Sequence, residues 1–245
     1  NLEYIIMDGG STDESVEIIQ KYAPWIDFWE STPDRGQGHA INKGFERVDG
    51  DIYGWLNSDD IYRPHALRAV IRGFEARPEA GALVGIGERV RLDGEVFYTP
   101  IPSELGFEAF LSWFDNDFLQ PACLFRRSAW EAGGPLRESL YICLDVDLWL
   151  RMAKNGIEFA LLDERIALAK AHGDAKTSVE LERMRAETAW LTHEYGQSER
   201  SHKMVMELAD DLAAAQSELR RLRKDRVYRI LAGIKNAAKS IIGRP

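Results

Sequence analysis

Two adjacent carboxylates, Asp59 and Asp60, close the stretch Gly50-Asp51-Ile52-Tyr53-Gly54-Trp55-Leu56-Asn57-Ser58-Asp59-Asp60. The apolar run Ile52 to Leu56 reads as a buried strand of an α/β sheet, and ligands of such sheets bind beyond the carboxyl ends of the strands. Neighbouring carboxylates repel each other, which makes ionising both costly. A hard divalent cation relieves that cost and prefers oxygen ligands. The pair therefore suggests a metal ion holding an anionic group such as a diphosphate. The other reading is a solvated turn that caps the helix opened by Pro64.

Four further segments place polar residues at strand ends or helix starts. They are Tyr4-Ile5-Ile6-Met7-Asp8-Gly9-Gly10-Ser11-Thr12-Asp13-Glu14-Ser15, Asp34-Arg35-Gly36-Gln37-Gly38-His39-Ala40-Ile41-Asn42-Lys43-Gly44-Phe45, Gln120-Pro121-Ala122-Cys123-Leu124-Phe125-Arg126-Arg127 and Leu144-Asp145-Val146-Asp147-Leu148-Trp149-Leu150-Arg151. In order and spacing the five segments closely resemble glycosyltransferase family 2. The resemblance covers about residues 1–180, within the usual size range of a domain.

That resemblance implies a GT-A fold and an inverting transferase. Such an enzyme moves a sugar from a nucleoside-diphosphate sugar (UDP or another nucleotide) to a hydroxyl acceptor, with Mg²⁺ or Mn²⁺ as cofactor. It also implies a bacterial setting in cell-surface polysaccharide or glycoconjugate synthesis, with an acceptor that is lipid-linked in many relatives. By the same resemblance Asp8 accepts a hydrogen bond from the nucleotide base, and Asp34 and Arg35 open a loop facing the nucleotide. Asn57 stands where the family's acidic motif has its first carboxylate and is expected to bond ribose or phosphate. Asp59 matches the second and is the first choice for metal ligand, joined by the late His172. Asp60 either orients water on the metal or caps the Pro64 helix. Gln120 and Asp147 fall on the acceptor side, Asp147 also being a candidate helix cap, and Arg151 is expected to pair with a nearby acid. Asp145 matches the general base. Its neighbour is Leu144, where relatives carry Glu, and an apolar neighbour raises a carboxyl pKa by desolvation, which suits a base. A helix cap is the bland alternative for Asp145. Relatives also carry an earlier strand and helix holding part of the nucleotide pocket. Here Asn1 leads straight into a strand, so the domain is read as N-terminally incomplete. Two rival functions are a catalytically inactive binding subunit of this fold and a nucleotide-sugar phosphohydrolase.

The elements needed to position these residues are legible as strands alternating with helices, which implies a mostly parallel sheet. Strands are expected at residues 2–7, 26–30, 52–56, 82–86 and 159–162, with another around Leu124 and a strand-like run Ile166-Ala167-Leu168. Helices are expected to Tyr22, over 39–47, over 64–76 with Leu67, Val70, Ile71 and Phe74 on one face, over 107–114, and over 146–155 closed by Gly156. Asp93-Gly94 between two apolar runs signals a hairpin.

The chain of 245 residues suits one α/β domain plus an appendage, and 45% hydrophobic content with seven Trp supplies a core. Cys123 and Cys143 are too few for a disulfide framework and read as buried thiols. No apolar run is long enough to span a bilayer and no signal peptide is visible, so a cytoplasmic protein, peripheral on the inner face of the membrane, is expected. The net charge is −9, yet residues 220–245 carry +8, leaving −17 on the rest. So acidic a body excludes a nucleic-acid binder. The domain division expected is 1–177 for the catalytic unit and 178–245 for a helical extension. Val205, Leu208, Leu212, Ala215, Leu219 and Leu222 form a short heptad seam, a candidate dimer contact. Val227 to Ile242 reads as a basic amphipathic helix suited to an anionic membrane surface.

Overall fold

Strand β1 (Ile5–Asp8) leaves its apolar run at Asp8, and Gly10 takes a positive φ of 88° to turn the chain. Helix α1 (Ser15–Tyr22) returns it to β2 (Phe28–Ser31), which pairs parallel with β1. Helix α2 (Gln37–Phe45), β3 (Ile52–Tyr53), β4 (Asp60–Tyr62), α3 (Ala66–Ala76), β5 (Ala82–Val90) and β6 (Val96–Tyr98) follow. Then come α4 (Phe107–Leu111), β7 (Cys123–Arg126), α5 (Arg127–Gly133), α6 (Leu144–Lys154) and β8 (Phe159–Lys170). Helices α7 (Leu181–Glu194) and α8 (Ser198–Lys224) complete the described elements. These assignments come from a computed structural model that describes residues 2–171 and 180–224. His172 and the Val227–Ile242 segment lie outside the described residues.

The α/β class with a helical extension matches the sequence reading, but the sheet is mixed, not mostly parallel. β1 and β2 form a two-stranded sheet of their own, and the larger sheet runs β3-β7-β5-β8-β4, with β6 on β5. Only β1·β2 and β5·β8 are parallel; β3·β7, β7·β5, β4·β8 and β5·β6 are antiparallel. Alternation of strands and helices fixes class, but a strand joined by a long irregular loop can enter the sheet in either direction.

Three local readings change as well. The run after Gly50 stays in the sheet only for Ile52 and Tyr53, and the chain re-enters it as β4 at Asp60, which pairs with Ala169. Asp60 is therefore a strand residue; α3 starts at Ala66 with His65 as its N-cap and no side-chain cap. The separate runs 159–162 and 166–168 are one strand, β8, whose register against β5 shifts between Val84 and Gly87. On α3 the buried face is Ala66, Ala69, Val70, Gly73 and Phe74, with Leu67 and Ile71 exposed. Gly73 turns that face inward: a Cβ there would lie 2.7 Å from Leu83 and 3.1 Å from Leu162. The Asp93-Gly94 hairpin forms as expected, with Gly94 at φ 89°.

The core has two parts. One packs α3 on β5 and β8 through Val70, Phe74, Leu83, Leu162 and Ile166. The other is aromatic. Phe125 on β7 is fully buried against Phe45, Tyr53, Trp55, Trp130 and Trp149. By contacts along the chain, Asn1–Leu191 and Thr192–Pro245 form separate units, so the start of α7 belongs with the first. In the second, Val205, Leu212, Leu219 and Leu222 along α8 are exposed. Among the described residues no helix is long and apolar enough to cross a membrane.

The centre of the aromatic cluster gives a stability prediction. Phe125→Ala empties a site bounded by five rings and should cost about 3–5 kcal/mol in chemical denaturation. Leu92→Ala, at 81% exposure, should change stability by no more than about 0.5 kcal/mol. Equal effects would remove the cluster from its structural role.

Candidate active site

The loops after β1 and β2 leave parallel neighbours and meet at the carboxyl edge of the small sheet. A Cβ at Gly9 would lie 2.6 Å from Asp34 Oδ2, so any larger residue there would displace the Asp34 carboxylate. Asp8 organises the first loop. Its Oδ2 accepts from the backbone N–H of Gly10 (3.0 Å) and Ser11 (2.9 Å) and from the Ser31 hydroxyl (2.6 Å), and its Oδ1 accepts from the Ser11 hydroxyl. Burial pushes its carboxyl pKa up, but these donors outweigh burial and hold it down at about 2. Asp8 is thus an anion with most of its lone pairs used by its own loop. Asp34 accepts from the Gly36 N–H at 2.7 Å. Arg35 makes a two-bond fork to Glu138, Nε to Oε2 and Nη2 to Oε1, both 2.9 Å. That pair is largely exposed and lies 103 residues apart in sequence, beyond the reach of local pattern.

Asn57 is a hub. Its Oδ1 accepts from Gln37 Nε2 at 2.8 Å, and its Nδ2 donates to Asp60 Oδ2 at 3.0 Å and to Gln120 Oε1 at 3.3 Å. Gln120 in turn donates to the Trp55 carbonyl at 3.0 Å. A carboxylate at position 57 has no N–H to give and would face Asp60 with like charge. The amide there joins the start of α2, the turn before β4 and the Gln120 segment in one network. Asp59 and Asp60 sit at that turn, which the bond from the Asp60 N–H to the Asn57 carbonyl closes at 3.1 Å. Gln37, which the motif contained but the sequence did not single out, holds the donor-side loop to it.

Asp145 lies in the first turn of α6, partly buried. Burial raises its carboxyl pKa to about 6; the N–H of Val146, 2.8 Å from Oδ1, works against that rise, and the Glu187 carboxylate adds to it. It also lies close enough to Cys123 on β7 to push that buried thiol further up, after burial itself. The helix N-cap is Cys143, not Asp145 or Asp147. Asp147 is fully buried, with Oδ2 accepting from Arg151 Nε at 2.9 Å and Oδ1 3.5 Å from Arg137 Nε. The expected pairing of Arg151 is this one. A carboxylate with no exposure, faced by two guanidinium groups, braces the helix; nothing of it reaches an acceptor.

Among the described residues no three acids, cysteines or histidines converge to hold an ion by themselves. Asp59 beside Asp60 offers hard carboxylate oxygens, the donors that Mg²⁺ and Mn²⁺ take, and Mg²⁺ often uses only one or two of them plus substrate phosphates. The donor set fits an ion that comes with a nucleotide.

Known proteins point the same way. The family model described as Glycosyl transferase family 2 matches residues 1–133. An uncharacterized glycosyltransferase of Nostoc sp. is 30% identical over 92 residues, which cover 34% of this chain and 27% of the relative. Poly-beta-1,6-N-acetyl-D-glucosamine synthase of Staphylococcus aureus is 32% identical over 85 residues, covering 34% of this chain and 21% of the synthase. The chain spans about a quarter to two fifths of the length of the curated relatives it matches first. Among solved structures, S. aureus TarS 1–349 in complex with UDP-GlcNAc superposes with a TM-score of 0.56 at 14% identity, over 76% of this chain and 56% of TarS. Mannosyltransferase PcManGT from Pyrobaculum calidifontis, in complex with GDP-Man and Mn²⁺, gives 0.58 at 14% identity, over 100% and 79%. Those likenesses establish the shared fold, and the family model covers more than half of the sequence. With the polar strand ends gathered around one edge, this chain belongs to glycosyltransferase family 2.

Proposed function

We propose that this chain transfers a sugar from a nucleoside-diphosphate sugar to a hydroxyl acceptor with inversion at the anomeric carbon. The observation that carries the proposal is Asp145, a carboxyl raised to about 6 in the first turn of α6. A base with a pKa near the working pH is ionised, yet still takes a proton readily. Asp145 accepts the proton of the acceptor hydroxyl while that oxygen forms a bond to the anomeric carbon. The bond from that carbon to the diphosphate oxygen breaks in the same displacement, so the configuration inverts. Asp34, Arg35 and the Asp8 loop bind the nucleotide, and Gln120 lies on the acceptor side. Asp59, with His172 as a further ligand, would hold a divalent cation, which would supply positive charge against the leaving diphosphate. The neighbours in complex with UDP-GlcNAc and with GDP-Man and Mn²⁺ support this choice of donor class and ion. The polysaccharide synthase among the relatives supports a role in polysaccharide or glycoconjugate synthesis.

Asp145→Asn should lower transfer by about 10²–10⁴-fold while UDP binding survives. In the wild type the rate should fall as the pH drops through about 6, because protonation removes the base. Wild-type turnover in the variant, or sugar release that needs no acceptor, would remove the assignment.

The metal ligand has its own test. Calorimetry with UDP and Mn²⁺ should show Asp59→Ala losing most of the metal-dependent affinity, with Asp147→Asn much less affected, since Asp147 serves the helix. Equal losses would strip Asp59 of its role.

The C-terminal segment adds a proposal from sequence. Residues 227–245 combine an apolar repeat with Arg229, Lys235, Lys239 and Arg244 and no acid. Each such cation adds about 1 kcal/mol of attraction near an anionic leaflet, whereas the acidic body is repelled. The full chain should co-sediment with anionic vesicles and not neutral ones, less so in high salt, and truncation before Val227 should abolish it. Equal binding by the truncated chain would refute membrane docking by this segment.

A further inference from the structure

The turn before α6 is held by a side chain from far along the sequence. Glu187, on α7, accepts three backbone N–H bonds: Tyr141 to Oε1 at 3.0 Å, and Ile142 and Cys143 to Oε2, both at 2.9 Å. Cys143 is the N-cap of α6 and offers no side-chain cap of its own. The N-terminal end of a helix carries partial positive charge and unpaired donors, so an anion is stabilised there. The remote carboxylate fixes the backbone that leads into the helix, up to the N–H of the N-cap itself. Arg183, one turn earlier on α7, donates to Glu187 Oε1 at 3.3 Å, and its guanidinium lies 3.8 Å from the centre of the Tyr141 ring. Cys143 Sγ lies 3.5 Å from both the Met184 carbonyl and the Thr188 hydroxyl, so the contact continues along α7.

Asp145 follows Cys143 by two residues, so the carboxylate that holds this turn also sets a like charge near the candidate base. We propose that Glu187 is a positioning residue: by fixing three consecutive N–H groups of the 141–143 turn, it sets where α6 presents Asp145, so the first helix of the extension completes the active site. The inference rests on the reading of Asp145 as base. It assigns to α7 a part in the reaction that a simple packing helix would not have.

The geometry carries two consequences. The first is orientation. Release of the turn lets Asp145 shift against the acceptor, and a displacement of about 1 Å costs on the order of 10²-fold in rate. The second is charge. The groups facing Asp145 are Glu187 on α7, Cys123 on β7 and Cys143 at the N-cap. The thiols are protonated in their buried sites, so Glu187 is the charge among these that acts on Asp145. It keeps the base more basic than burial alone does. Its own pKa is pushed up by burial, but the three backbone N–H groups and Arg183 overcome that and leave it below the usual range, so it stays ionised while Asp145 titrates.

The test uses the full chain labelled at its aspartate carboxyl carbons, with Asp145→Asn identifying the Asp145 signal. In Glu187→Gln the Asp145 titration midpoint should fall below the wild-type value while staying raised by burial, and the plateau transfer rate should drop about 10- to 100-fold, with UDP affinity unchanged. Glu187→Asp keeps the charge and shortens the reach, so it should keep the midpoint and still lose rate. A folded Glu187→Gln with the wild-type midpoint and rate would overturn the proposal. If Glu187→Gln does not fold, wild-type rate in Glu187→Asp overturns it instead. A lost rate without any change in the midpoint also counts against it, since a purely structural brace would do that. The carboxyl titration needs no turnover. A midpoint that moves while Asp145→Asn retains full activity therefore upholds the coupling and rejects the base assignment alone.

Discussion

The stack of Trp55 on Trp149, with ring centroids 5.6 Å apart and planes 22° from parallel, is the contact on which the site depends. Trp55 precedes the Asn57–Asp60 turn by two residues. Trp149 is one helical turn after Asp145, so the two share a face of α6. The stack therefore ties the carboxylates proposed for the donor to the carboxylate proposed for the acceptor, through two rings and no polar contact. Phe125 closes it edge-on from β7 at 6.2 Å from Trp55 and 5.7 Å from Trp149. Large rings with few rotatable bonds lose little entropy when fixed, which suits a core that must hold reactive groups in register.

Around that core, four carboxylates take four different states, each set by its neighbours. Asp8, ringed by hydroxyl and backbone donors, is held down at about 2. Asp145, partly buried with backbone donors that do not offset its burial and a like charge nearby, is raised to about 6. Asp147, fully buried, is matched by two arginines. Glu187 takes the backbone donors of a helix start. Separation of carboxyl pKa values is how one site keeps one acid as a fixed anion and another as a proton acceptor.

The sequence made the chemistry legible more than the wiring. Asp8, Asp59 and Asp145 could be placed at strand ends or helix starts because hydrophobic runs stop there, and Gly94 and Gly156 marked turns that need positive φ. The mixed sheet was not legible, because direction of entry depends on loops with no periodic signal. β4 was missed because Asp60-Ile61-Tyr62 is three residues long and gains its order from pairing with β8. The buried face of α3 was misjudged because Gly73 and two alanines let β5 and β8 approach closely, which a count of large apolar residues cannot register. Arg35–Glu138 and Glu187 with its turn join residues 103 and 44–46 apart, and nothing local announces such partners.

Those distant contacts share one target, the segment 136–143 that leads into α6. From the donor side, Asn42 on α2 exchanges two hydrogen bonds with Leu136, at 2.9 and 2.8 Å, and Arg35 holds Glu138. From the other side Glu187 holds residues 141–143. The segment has no helix or strand of its own, so its backbone donors and acceptors must find partners elsewhere, and it finds them in two elements that flank the site. The loop that opens α2 and the segment leading into α6 are thus joined directly, through Asn42 to Leu136 and Arg35 to Glu138. Gln37 reaches the Asn57 turn from the same helix. Helix α2 thus touches both Asn57 in the turn before β4 and Leu136 in the segment leading into α6.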